Sequence, residues 1–174
     1  MMATNMILAA DSYGGIGYNN DLPWAKIKRD LKWFSEHTTD NVVVMGSNTW
    51  KSLGKIAPLK NRINYVITSK SMDEFTGAHD LYDHTEYSLE NIVTAIQSRH
   101  PSKEIFIIGG KHLYDDAYKF CDKIYLTRID GVHSVDTTCD ITTYLKDYTQ
   151  LTASKELNPH PEPHCTFEVW QRIE

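Results

Sequence analysis

Val42-Val43-Val44-Met45-Gly46-Ser47-Asn48-Thr49-Trp50 sets the architecture of this chain. A short β-branched run that stops at a glycine and passes into helix-compatible residues reads as a buried strand, a turn and a helix start. Ile105-Phe106-Ile107-Ile108-Gly109-Gly110 repeats that grammar and leads into a second short helix, Lys111–Tyr118. Buried strands alternating with helices build a mostly parallel sheet with helices on its faces. Strands that end in glycine before a helix also offer backbone N–H groups and a dipole suited to phosphate.

Working outward, further strands are expected at Asn5–Ala10, Asn41–Met45, Asn64–Thr68, Asp80–Tyr82, Glu104–Ile108 and Lys123–Ile129, with a last pair at Tyr148–Leu157 and Cys165–Gln171. Helices are expected at Ile27–His37, Asn48–Leu53 and Leu89–Arg99. Leu89, Ile92, Val93 and Ile96 fall at i, i+3, i+4 and i+7 on one apolar face, with Ser88 as N-cap. Pro159, Pro161 and Pro163 exclude helix and ladder alike, so Asn158–Pro163 is a loop joining the last two strands as an antiparallel hairpin. Asp11–Asn20, with Gly14, Gly15 and Gly17, is the other extended loop, and adjacent glycines beside a site suggest a lid. The expectation is one α/β domain over residues 1–174, a mostly parallel central sheet of about eight strands with a C-terminal hairpin and flanking helices.

Composition narrows the function. The chain has 174 residues, 41% hydrophobic and 11% aromatic, enough for a real core. A net charge of -5 argues against nucleic acid, whose affinity rests on clustered Lys and Arg. Cys121, Cys139 and Cys165 share no metal-type spacing and read as reduced thiols, which suggests a cytoplasmic protein. No stretch approaches a membrane span, and Met6–Ala10 lacks the basic flank of a signal peptide. Prolines between His160 and His164 forbid helical pairing, and no metal site is expected.

Asp30 stands out, a carboxylate among Leu31, Trp33 and Phe34. Facing water in a first helical turn, it would merely complement the dipole; facing inward, it would have a raised pKa and would need a partner that rewards its charge. Ile16-Gly17, Asn20-Asp21-Leu22-Pro23-Trp24 and Asp30-Leu31-Lys32-Trp33-Phe34 together resemble the dihydrofolate reductase family. So do Met45-Gly46-Ser47-Asn48-Thr49-Trp50-Lys51-Ser52, Ile108-Gly109-Gly110 and Tyr125-Leu126-Thr127-Arg128-Ile129, in the family's order along nearly the whole chain.

The resemblance implies reduction of 7,8-dihydrofolate by NADPH, with hydride to pterin C6 and a proton to N5, in a monomer open to antifolate inhibitors such as methotrexate and trimethoprim. It places Asp30 on the pterin 2-amino group and N3, with Thr127 behind it through its hydroxyl and a shared water. Ile7, Leu31, Phe34, Ser52 and Leu53 would line the folate site, and Arg62 would grip the glutamate carboxylate. Leu22 and Trp24 would belong to the lid, which Asp136 would pin through backbone N–H groups. For the cofactor it implies Ala9, Ile16, Gly17, Asn20, Gly46, Ser47, Asn48, Thr49, Thr68, Ser69, Lys70, Gly109, Gly110, Lys111, His112, Leu113 and Tyr114, with a cis Gly109–Gly110 link. Lys70, assisted by His112, would carry the 2′-phosphate charge.

This chain departs from the family pattern at four places. Pro23 to Asp30 is one residue longer than in many relatives, Ser47-Asn48 stands where many carry Arg or Lys, Asn61 replaces a glycine before Arg62, and the loop Lys55–Lys60 is longer. Pyrimidine reductases of riboflavin biosynthesis resemble the same fold but lack Leu-Pro-Trp paired with Asp-Leu-x-x-Phe. A folate-binding structural or assembly protein of the same fold remains open.

Overall fold

Side chains alternate along strand β1 (Thr4–Ala10), and that alternation divides the molecule. The computed structural model describes residues 2–174. After β1 come β2 (Gly15–Gly17), α1 (Lys28–Thr38), β3 (Val42–Gly46), α2 (Ser47–Leu53), β4 (Ile63–Ile67) and β5 (Asp80–Tyr82). The chain continues through α3 (Leu89–Arg99), β6 (Ile105–Ile107), α4 (Lys111–Ala117), β7 (Lys123–Ile129) and β8 (Thr137–Thr138). It closes with α5 (Ile141–Leu145), β9 (Tyr148–Glu156) and β10 (Cys165–Arg172).

Eight strands form one sheet in the order β5-β4-β3-β6-β1-β7-β10-β9. The first six are mutually parallel, and β10 alone runs against them, pairing antiparallel with both β7 and β9 in the expected C-terminal hairpin. Met6, Leu8, Val42, Val44, Tyr65, Ile107, Ile124 and Leu126 face one side and bury the apolar faces of α3, α4 and α5. Ile7, Val43, Met45, Val66, Phe106 and Tyr125 face the other, where Trp50, Trp33, Phe34 and Leu53 of α2 and α1 cover them. Helices on both faces are what strands buried on both sides require.

The order of connections opens the site. β3 passes into α2 on one face, whereas its neighbour β6 passes into α4 on the other. Adjacent strands whose helices leave in opposite directions open a crevice at their carboxyl ends, the place where open α/β sheets hold ligands.

The expected strands and four longer helices are present, with ends shifted by a residue or so. The expected loop Asp11–Asn20 is partly ordered, because β2 pairs with β8 in a separate two-stranded sheet. β2, β8 and the five-residue α5 are too short to show a period. A local cue to α5 did exist, since Asp140 caps it by accepting from the Thr143 N–H at 3.1 Å.

Buried Asn64 holds the longer loop before β4. Its Oδ1 accepts from the Leu59 N–H at 2.9 Å, and its Nδ2 donates to the carbonyls of Leu59 at 3.0 Å and Arg62 at 3.1 Å. Asn64→Ala strands those backbone groups and should cost about 2–3 kcal/mol. Thermal unfolding should show a Tm lower by roughly 4–12 °C; an unchanged Tm would mean that the loop is held some other way.

Candidate active site

Register builds the floor of the pocket. Ile7 lies opposite Tyr125, Ala9 opposite Thr127, and Thr127 opposite Phe167, so Ile7, Ala9, Thr127 and Phe167 share the sheet face below α1. Asp30 is the third residue of α1, and Trp33 and Phe34 at i+3 and i+4 lie on the same side of the helix. Trp33 stacks on Phe167 with ring centroids 4.8 Å apart, which docks the helix and aims Asp30 at the sheet. The Thr127 hydroxyl donates directly to Asp30 Oδ1 at 2.7 Å. Burial pushes the Asp30 carboxyl above the usual carboxylate range, and the Thr127 bond offsets only part of that. Among the described residues no cation pairs with Asp30. Such a carboxylate is left with acceptor capacity for a ligand bearing N–H groups.

The loop Asp11–Asn20, expected to be a lid, is tied down by two carboxylates. Asp136 Oδ2 accepts from the Asn19 N–H at 2.8 Å, and the Asp136 N–H donates to the Gly17 carbonyl at 2.9 Å, so the expected pinning is in place. Sequence reasoning missed the second. Asp11, with its side chain 1% exposed, accepts from the N–H groups of Gly15 at 2.8 Å, Tyr13 at 3.0 Å and His133 at 3.0 Å. Burial alone would raise its pKa, but these donors and the nearby His133 hold it below the usual range. The His133 ring meets buried Trp24 edge-on at 5.7 Å, and among the described residues neither Trp24 Nε1 nor His133 Nδ1 has a hydrogen-bond partner. A short polar residue that opens a glycine turn was the only cue to Asp11.

At the crevice the Gly46 N–H donates to the Gly109 carbonyl at 2.9 Å, and the Gly109–Gly110 peptide is cis, as expected. Gly109 has φ +128°, and a Cβ there would press Thr49 Oγ1 at 3.1 Å and Tyr114 Oη at 3.3 Å. Tyr114 is buried, and its hydroxyl donates to the Ile7 carbonyl at 2.9 Å, linking the crevice to the pocket floor. Its burial places ionisation far above the ordinary phenol range. Ile16 packs against the core beneath the lid, and Gly17 and Asn20, the latter at φ 61°, shape the lid's turn. The N–H groups of Lys111, His112 and Leu113 open α4 without helical acceptors. The Lys111 ammonium is occupied, donating to the Thr138 carbonyl at 2.8 Å.

Buried Thr68 accepts from the Lys70 N–H at 3.1 Å, which leaves Ser69 and Lys70 exposed beyond the end of β4, while Ser47 and Asn48 start α2 beside them. Lys51, one turn after Ser47, was missed: contact with Lys70, then their mutual repulsion, lowers its pKa. Two ammonium groups drawn together this way suit an anion between them.

At the other end Arg62 Nη1 donates to Thr38 Oγ1 at 3.1 Å, and the guanidinium lies 6.0 Å over the Phe34 ring. Asn61 takes φ 60°, so it adopts the left-handed turn that a glycine would. Leu53 and Phe34 pack against the same buried cluster, whereas the Ser52 hydroxyl turns back and donates to the Thr49 carbonyl at 2.7 Å. Leu22 and Leu31, 43% and 40% exposed, stand at the rim. A polar hollow of about 450 Å³ behind the lid includes Asp11, Lys111 and Arg128 but not Asp30, and both cations there are engaged elsewhere.

The sequence pattern of the dihydrofolate reductase family matches residues 3–172. The chain belongs to that family. It is 31% identical over 181 aligned positions to dihydrofolate reductase type 9 of Escherichia coli, covering 95% of this chain and 100% of that one. It is 35% identical to dihydrofolate reductase of Bacillus subtilis over 72% of this chain and 68% of that one. Among solved structures, the Enterococcus faecalis dihydrofolate reductase complexed with NADP(H) and RAB-propyl superposes with a TM-score of 0.82 at 25% identity, covering 99% of this chain and 97% of that one.

Within this dihydrofolate reductase fold, Asp11 anchors the loop that follows β1. Asp11's lowered pKa contributes stability that is present above the unfolded carboxylate value, near 3.9, and lost as pH falls through the lower folded value. Asp11→Asn should therefore unfold at lower temperature than the parent at pH 7, with the gap closing below about pH 4. Melting curves across that range check it; a constant gap would leave no role for the charge.

Proposed function

We propose that this protein reduces 7,8-dihydrofolate to 5,6,7,8-tetrahydrofolate with NADPH. The observation that carries the reading is Asp30, a desolvated carboxylate bonded to Thr127 and paired with no cation among the described residues, on a floor of Ile7, Ala9 and Phe167. A pterin's 2-amino and N3 groups supply the two N–H donors that such a carboxylate lacks. Its negative charge favours the ring once N5 has taken a proton, and that ring is the better electrophile at C6. Ile7, Phe34, Leu31 and Leu53 hold the folate body flat, and Arg62 offers its fork to the terminal carboxylate.

The residues at the crevice fit a dinucleotide. Gly109 can carry no side chain between Thr49 and Tyr114, Gly46 and Gly110 keep the backbone on either side of it bare, and the first N–H groups of α4 are free of helical acceptors. Bound there, NADPH supplies the hydride. Tyr114 and Ala9 border the nicotinamide end next to Ile7, while Ile16, Gly17, Asn20, Leu22 and Trp24 close the lid and exclude water. Lys70 and Lys51, with Ser69, Thr68 and Ser47 around them, take the 2′-phosphate in place of the Arg or Lys that many relatives carry after Met-Gly.

Asp30→Asn keeps the shape and removes the charge, so kcat for dihydrofolate should fall severely at neutral pH and recover partly at low pH, where substrate arrives protonated. Stopped-flow oxidation of NADPH over a pH series tests this. Parental turnover in the variant at pH 7 would end the assignment.

Cofactor choice gives an independent test. Lys70→Ala should raise the Kd for NADPH about tenfold, one charge-assisted contact, and leave NADH nearly unchanged. Equal losses for both would remove Lys70 from phosphate recognition.

A further inference from the structure

The helix that carries Asp30 has no cap of its own. Ile27 occupies the N-cap position of α1 in an extended conformation (φ -102°, ψ 109°), and an isoleucine side chain can accept no hydrogen bond. The first turn closes on a single carbonyl, that of Ile27, which accepts from both the Asp30 and the Leu31 N–H groups at 3.1 Å. The Lys28 N–H has no partner within the helix; Glu162, 134 residues away in the chain, accepts it through Oε1 at 2.8 Å in place of water. On the adjacent side, Arg29 is ion-paired with Glu156 at the end of β9.

The loop that presents Glu162 is braced. The Asn158 N–H donates to His164 Nδ1 at 2.8 Å, Asn158 Nδ2 donates to the Pro163 carbonyl at 2.8 Å, and the Glu162 N–H donates to the Pro159 carbonyl at 2.9 Å. Pro159, Pro161 and Pro163 restrict the backbone between these bonds. Ile27 is itself wedged into a small core with Trp24, Cys165 and Phe167.

From this the geometry points to Glu162 as a positioning residue for Asp30: the hairpin loop caps α1 from outside and so fixes how deep the carboxylate sits against Thr127. Glu156 adds a second, weaker hold, because both members of its pair with Arg29 are partly exposed. The assignment rests on the proposed reduction of dihydrofolate. The groups facing Asp30 are Thr127 from β7, the buried Cys165 thiol from β10, and, around the helix start, Arg29, Glu156 and Glu162.

Two readouts on the full chain test it. In Glu162→Ala the Leu31 amide should exchange with solvent about fivefold faster, the loss of a cap worth about 1 kcal/mol, while the Ile92 amide in the first turn of α3 stays at its parental rate. With the first turn loosened, Asp30 is better hydrated and ionises more readily, so the pH at which turnover falls to half should move downward. Glu162→Gln loses the charge but keeps an acceptor oxygen and should restore both readouts; a pH midpoint shifted as far in Gln as in Ala is loss of charge alone and overturns the positioning role. Unchanged exchange at Leu31, or equal acceleration at Ile92, overturns the cap; faster exchange at Leu31 with an unmoved pH midpoint overturns the positioning role. Parental protein that leaves dihydrofolate unreduced overturns the functional reading instead, and the exchange measurement, made without ligand, still decides the cap.

Discussion

The insertion of β6 between β3 and β1 is the constraint on which the molecule depends. It places Gly109 beside Gly46, with the Gly46 N–H bonded to the Gly109 carbonyl at 2.9 Å, while α2 and α4 leave on opposite faces. No side chain has to carve that crevice, because the connections leave it open. What the sequence adds is its lining: glycines where backbone must stay bare, and Tyr114, whose hydroxyl reaches the Ile7 carbonyl and ties the crevice to the pocket next to it.

Two desolvated carboxylates, Asp11 buried and Asp30 partly so, show how one fold uses the same chemical group for opposite ends. Asp11 collects three backbone N–H donors and is held below the usual range, so its charge is fully used in holding the lid's base. Asp30 is also desolvated but receives one hydroxyl, and its pKa rises. The first contributes to stability. The second costs stability in the free protein, and a ligand with N–H groups recovers that cost on binding, the usual relation between strain at a site and its use.

Legibility in the sequence followed the length of the pattern. β3 and β6 announce themselves as unbroken apolar runs that stop at glycines, and the α3 stripe Leu89, Ile92, Val93, Ile96 by its helical period. Thr127 and Asp30 could be paired only through the family resemblance, since 97 residues separate them and neither carries a local signal of the other. β2 and β8, three and two residues long, have no period to read. The depth of Asp30 after a segment one residue longer than usual could not be read locally, because the group that caps its helix, Glu162, lies beyond β9. Asn61 was legible in a different sense: asparagine is the residue that best replaces glycine at positive φ, so the turn before Arg62 survives the substitution.

A small cluster of Trp24, Ile27, Ile129, Cys165 and Phe167 joins these parts. Trp24 ends the lid, Ile27 starts α1, and Cys165 and Phe167 belong to the hairpin that supplies the cap. Ala9 and Trp33 pack on the same cluster, bringing in the sheet floor and the second turn of α1. Because packed interiors resist local deformation, a shift of any one of these elements is felt by the others. The lid reaches the cluster by a second route, for Asp11 binds the His133 N–H and the His133 ring lies against Trp24. The helix that carries Asp30, the end of the loop before it and the C-terminal hairpin, far apart in sequence, thus meet in one packed cluster.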